Sequence, residues 1–143
     1  MPDVRLLVAC RQVLVDTFSN AASAIGILDS LTLASVPAVL PGLMVLAVLE
    51  KRNGDEDTFP ANVTVRLNGA VLASSPGSVS FAGQRMARIV ADLGNLVLAT
   101  HGELRFSLET PREESLGEYV VAIEPPVPNL FERHSENKGA TSN

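Results

Sequence analysis

The clearest chemical potential in this chain sits in one short loop. Asp55, Glu56 and Asp57 follow Asn53-Gly54, a favoured hairpin turn pair, inside the charged stretch 51–58. Clustered carboxylates at one end of a β-structure can hold calcium, provided several oxygens converge. Asp55 and Asp57 are therefore the candidate metal ligands. The competing expectation is a solvated hairpin tip whose charge keeps the protein soluble. It is the stronger of the two, because no second acidic loop is certain to meet this one.

Other chemistry is harder to assemble. The two histidines stand apart, His101 beside Gly102 in a predicted turn and His134 near the C-terminus, and no strand-turn-helix nucleophile elbow accompanies them. No catalytic residue is assigned on this pattern. The single cysteine, Cys10, excludes an intramolecular disulfide and is expected to be a small buried hydrophobe, with Arg11 pointing to the other face of its strand. No Cys or His pair has zinc spacing. No two glycines lie two apart and no Gly-Lys-Ser/Thr occurs, so the common phosphate cradles are absent and no cofactor is expected. Arg66, Arg85, Arg88 and Arg105 could form a basic stripe. However, 16 acidic against 11 basic residues, net charge -5, and few aromatics argue against nucleic acid. Those arginines are expected to pair with acidic neighbours or to cover apolar surface with their stems.

The elements that carry these residues read as strands. Short apolar runs separated by turn residues dominate, and no stretch of ten residues has helical periodicity. Strands are expected over 4–10, extending toward Val15, and over 24–33, where Gly26 marks a bulge or a close backbone approach. Pro37 and Pro41 bracket a connection. Residues 43–49 are apolar at every position, so that strand needs cover on both faces. Val63, Val65 and Leu67 alternate with Asn62, Thr64 and Arg66. Asn68-Gly69 then predicts a type I′ hairpin into 70–73. Turns are expected at 74–77 and 92–94, with one long or two short strands over 78–91. Leu104, Phe106 and Leu108, then Tyr119, Val121 and Ile123, mark the last two inward-facing sets.

The chain of 143 residues, 46% hydrophobic, thus reads as an all-β protein: an antiparallel two-sheet β-sandwich of seven or eight strands over residues 1–124. Pro125, Pro126 and Pro128 open a polar, flexible C-terminal tail over 125–143, in which Leu130 and Phe131 are the candidate partner-binding residues. Charges interrupt the N-terminal apolar run, and Pro37, Pro41 and Gly42 interrupt 36–49. Neither a signal peptide nor a membrane span is expected, and a cytoplasmic setting is the reading.

Several segments occur in a recognisable order: Val8-Ala9-Cys10, Ile25-Gly26-Ile27-Leu28, Pro37-Ala38-Val39-Leu40-Pro41 and Gly102-Glu103-Leu104-Arg105-Phe106. This order resembles a family of small bacterial β-sandwich proteins of unknown function, over about residues 4–123. The resemblance rests on turn glycines, loop prolines and core positions. It implies the fold and no catalytic residue.

The expected role is a non-enzymatic protein–protein interaction or assembly module, through a protein partner or self-association. The alternative is a calcium- or small-ligand-binding sandwich that uses the loop 51–58.

Overall fold

The structure is a computed structural model that describes residues 1–127. It is all-β, with no helix and nine strands among those residues. Four strands form one sheet in the order β2-β1-β4-β7: β1 (Asp3–Val15), β2 (Ala22–Ile27), β4 (Ala38–Glu50) and β7 (Met86–Leu98). Five form the other in the order β3-β9-β8-β5-β6: β3 (Ser30–Thr32), β5 (Thr58–Leu67), β6 (Ala70–Ser80), β8 (Gly102–Glu109) and β9 (Ser115–Glu124).

Alternation decides which side of each strand meets the common core. Leu7 and Ala9 of β1, and Leu43, Val45, Ala47 and Leu49 of β4, join Val63, Val65 and Leu67 of β5 in one buried cluster. Leu104, Phe106 and Leu108 of β8, with Val121 and Ile123 of β9, complete it, so both sheets feed the same core. With no Trp and few aromatics, aliphatic burial supplies most of the driving force, ~25 cal/mol per Å² of apolar surface removed from water. The hairpin at Asn68-Gly69 forms as expected, both residues at positive φ (50° and 88°). The Asn68 side chain also accepts from Glu103 N (2.9 Å) and donates to the His101 carbonyl (3.1 Å), which fastens the β7–β8 connection.

Five expectations change. The stretch 24–33 is two strands in different sheets, because Leu28 and Asp29 carry the chain across. Leu28 N donates to Ala9 O (2.8 Å), and Tyr119 Oη donates to Leu28 O (2.7 Å). This makes nine strands rather than seven or eight. It also makes one pair parallel, β3 with β9, where all pairs were expected antiparallel. Residues 38–41 of the expected connection lie inside β4: Ala38, Val39 and Leu40 pair with Leu98, Val97 and Leu96, and the irregularity falls at 40–44. The turns expected at 74–77 and 92–94 are absorbed into β6 and β7. Pro76 is tolerated because β6 is an edge strand, and the register of β7 shifts near Gly94 (φ 65°) instead of ending.

Candidate interaction surface

The acidic loop is occupied with holding itself and its neighbours in place. Asp55 accepts from the Met1 amino group (2.7 Å) and from Arg52 N (2.8 Å). Asp57 accepts from Gly83 N (3.0 Å) and from Lys51 Nζ (3.3 Å), which ties the β4–β5 loop to the β6–β7 turn. The amino group of Met1 and the Arg52 amide hold the Asp55 carboxyl below its ordinary range, and the Gly83 amide does the same for Asp57. A groove of about 450 Å³ lies beside the loop, with Met1, Asp55, Phe59 and Arg112 on its walls. Among the described residues no group of three or more His, Cys, Asp or Glu is placed to share a metal ion.

His101 and Cys10 are also tied into the fold. His101 Nε2 lies 2.8 Å from the Leu33 carbonyl, in the connection that closes the five-stranded sheet. Cys10 is fully buried, and that burial pushes its thiol up. Leu130 and Phe131 lie outside the described residues. Among the described residues no helix is long and apolar enough to cross a membrane.

The arginines do find acidic partners. Arg66 and Arg105 stand directly opposite each other on β5 and β8, which would be unfavourable alone. Arg66 instead bonds Glu109 (2.9 Å) and Ser107 (3.2 Å), while Arg105 is bound by Glu103 and Glu118. Burial pushes the Glu109 carboxyl up. Bonds from Arg66, Thr64 and Ser107 outweigh it, and the net shift is downward. The outward side of β5 and β8 is therefore polar, with its charges paired, while Val120 of β9 stands exposed beside Arg105.

The four-stranded sheet is different. Opposite its core residues, β1, β4 and β7 turn Leu6, Val8, Cys10, Met44, Leu46, Val48 and Val90 outward. The register places Val8, Leu46 and Val90 in one row across the sheet. Ten of the fourteen exposed large apolar side chains among the described residues lie on this sheet or on its β1–β2 turn. Exposed apolar surface concentrated on one side of a protein marks a candidate interaction surface. The strand 43–49, apolar throughout, is the feature of the sequence that signalled it.

Beyond Cys10 the chain leaves β4 and pairs only with β2, forming a hairpin arm. A straight arm would carry its turn ~30 Å beyond the row containing Leu6, Val48 and Arg88, given the rise of a strand. Yet Arg88 Nη2 donates to the Asn20 carbonyl in that turn at 2.7 Å. Arg88 points outward, opposite the core residues Ala87 and Ala91, so the arm bends back over the outer face. Gly26 (φ 69°) sits at the bend beside Arg11, where an added Cβ would lie 3.2 Å from that side chain. Leu46 is only 2% exposed although it belongs to the outer face, and Val8, Cys10 and Leu46 are buried outside the shared core cluster. The returning arm is consistent with that burial.

The tip of the arm is ordered. Asp16 Oδ1 accepts from Phe18 N (2.7 Å) and Ser19 N (3.2 Å), and Asn20 N donates to Asp16 O (2.8 Å). The two side-chain acceptor bonds hold the Asp16 carboxyl below its ordinary range. This turn presents Phe18 to solvent with its side chain 100% exposed. Leu14 and Ile25 lie exposed along the same arm. Sequence reading placed strands over 4–10 and 24–33 and missed the arm that joins them. The signal was present as one aromatic residue among small polar ones.

No protein-family model, no curated protein and no solved structure matches this chain.

Proposed function

We propose that this protein is a non-enzymatic β-sandwich assembly module that associates with a second copy of itself through the outer face of its four-stranded sheet and the β1–β2 arm. The observation that carries the proposal is the concentration of exposed apolar side chains on that sheet, with Phe18 held in solvent by a hydrogen-bonded turn. Immobilising an aromatic side chain ahead of contact lowers the ordering cost of association, and such residues commonly dominate interface energetics.

The occupant is argued from charge. The whole chain has net charge -5, which disfavours self-contact in general. The four strands and the β1–β2 turn hold only Arg5, Arg11 and Arg88 against Asp3, Asp16, Glu50 and Asp92, three positive against four negative, a net -1. Arg5 is already bound to Glu50 (2.8 Å). A nearly neutral apolar face can meet its own copy about a two-fold axis without repulsion. The polar outward side of β5 and β8 offers no comparable driving force.

Two differently tagged copies of the full chain, co-expressed, test this. Capture of one tag is expected to recover the other, and Leu14→Ser with Ile25→Ser is expected to abolish recovery. Glu118→Gln on the polar side is expected to leave it intact. Failure of the unaltered copies to recover each other would end the proposal.

A further inference from the structure

We infer that Asn53 is a site of spontaneous backbone modification, deamidating through a succinimide formed with Gly54, and that the fold protects the same dipeptide at Asn68-Gly69. The inference stands apart from the self-association proposed above. The chain holds two Asn-Gly pairs, at 53–54 and 68–69. Glycine lacks the Cβ that would hinder its own amide nitrogen, so both pairs have the intrinsic reactivity. The Gly54 nitrogen gives up its proton to water and bonds to Asn53 Cγ. The tetrahedral carbon then expels Nδ2, which takes up a proton and leaves as ammonia, closing a five-membered succinimide. Water adds to one of the two ring carbonyls and breaks its bond to nitrogen. Opening at Cγ restores an ordinary aspartyl link, and opening at the main-chain carbonyl leaves an isoaspartyl link through Cβ and Cγ.

Exposure does not separate the two sites, because Asn53, Gly54, Asn68 and Gly69 are all exposed. Anchoring does. Asn68 Nδ2 donates to Thr100 Oγ1 (3.2 Å) and to the His101 carbonyl (3.1 Å), and Oδ1 accepts from Glu103 N (2.9 Å). Its own amide donates to Glu103 O (2.9 Å), and Gly102 packs so closely that an added Cβ would collide with Oδ1. Paired strands on both sides hold the turn, with Leu67 opposite Ala70. Asn68 Cγ therefore reaches the Gly69 nitrogen only after this hairpin end opens. Asn53 lies instead in a loop that passes from β4 in one sheet to β5 in the other, with no ladder across it. Its side chain has no hydrogen-bond partner among the described residues, and Gly54 sits at φ 88° with its amide unbonded. Arg52 and Asp55 close the turn around the pair, Arg52 N to Asp55 Oδ2 (2.8 Å) and Asp55 N to Arg52 O (3.1 Å). An isoaspartyl link lengthens the main chain between those two residues, so modification adds a negative charge and breaks the closure that fastens the loop.

Peptide mapping of the folded full chain, aged in mildly alkaline buffer, tests this. Trypsin places Asn53 in the peptide 53–66 and Asn68 in the peptide 67–85. The first is expected to convert with time into two products of equal mass, each carrying a carboxylate at position 53. The second is expected to convert at least about tenfold more slowly, since several hydrogen bonds must open first. In urea the two rates are expected to become similar. Asn53→Gln is expected to stop conversion in the peptide 53–66, which also contains Asn62. Equal rates at the two sites in the folded chain would overturn the inference. So would an Asn53 that stays intact in the fold while it converts in urea.

Discussion

On the outward side of β5 and β8, each charge finds its partner within the sheet. Arg66 is bound to Glu109, and Arg105 lies between Glu103 and Glu118. On the outward side of β1, β4 and β7, the corresponding positions hold Leu6, Leu46, Val48 and Val90. Both sheets contribute to the same buried cluster, so the contrast does not come from the demands of folding. A polar sheet face is complete once its hydrogen bonds close, and water serves the remainder. An apolar face stays costly until something lies over it. The arm likewise carries Leu14, Phe18 and Ile25 exposed.

The largest effect that sharpens this contrast is expected at Leu46. If the arm covers it, Leu46→Ala should cost about 3 kcal/mol, the scale for truncating a buried leucine. Val90→Ala, in the same row but exposed, should cost under ~1 kcal/mol. Urea denaturation of both variants measures the difference, and equal costs would show that the face is uncovered.

Next in size is the polar side. Removing Glu109 leaves Arg66 without its charged partner, and Glu109→Ala should cost about 2 kcal/mol, as for hydrogen bonds to charged groups. The Glu109 carboxyl is held below its ordinary range in the fold, so its contribution is fully present above that range. It is lost as the pH falls through the depressed folded value. Denaturation midpoints followed downward from neutral pH should therefore fall less steeply in Glu109→Ala than in the unaltered chain.

A smaller effect on energy, though a decisive one for the contrast, is expected at the arm tip. Phe18 is wholly exposed, so Phe18→Ser should change the stability of the single chain by under ~0.5 kcal/mol. Association should weaken about tenfold, or ~1.4 kcal/mol. Smallest is the loosening of the turn itself. Asp16→Ala removes the acceptor of the Phe18 and Ser19 amides, and faster hydrogen exchange at those two amides should report it. Because the Asp16 carboxyl is also held low, acidification through its folded value should produce the same loosening in the unaltered chain.

Much of this was legible in the sequence. Two-residue alternation placed Val63, Val65, Leu67, Leu104, Phe106 and Leu108 in the core, and Asn68-Gly69 marked its hairpin. The uniformly apolar run 43–49 announced a strand needing cover on both faces. What the sequence hid was register and long-range return. Pro76 reads as a terminator unless β6 is known to be an edge strand. The parallel β3–β9 pair depends on a sheet crossing held by Tyr119, ninety-one residues from Leu28. The loop 51–58 drew attention because carboxylates are conspicuous, yet its hydrogen bonds to Met1, Arg52 and Gly83 show a turn being fastened. The arm carried almost no local signal, because its position is fixed by Arg88 from a distant strand.

Sedimentation equilibrium of the full chain over a concentration series most directly tests whether the apolar exterior joins two copies. The account predicts twice the chain mass, falling to a single chain when Leu14→Ser and Ile25→Ser are introduced together. A single-chain mass persisting to about 100 μM, equivalent to binding weaker than about 5.5 kcal/mol, would contradict it.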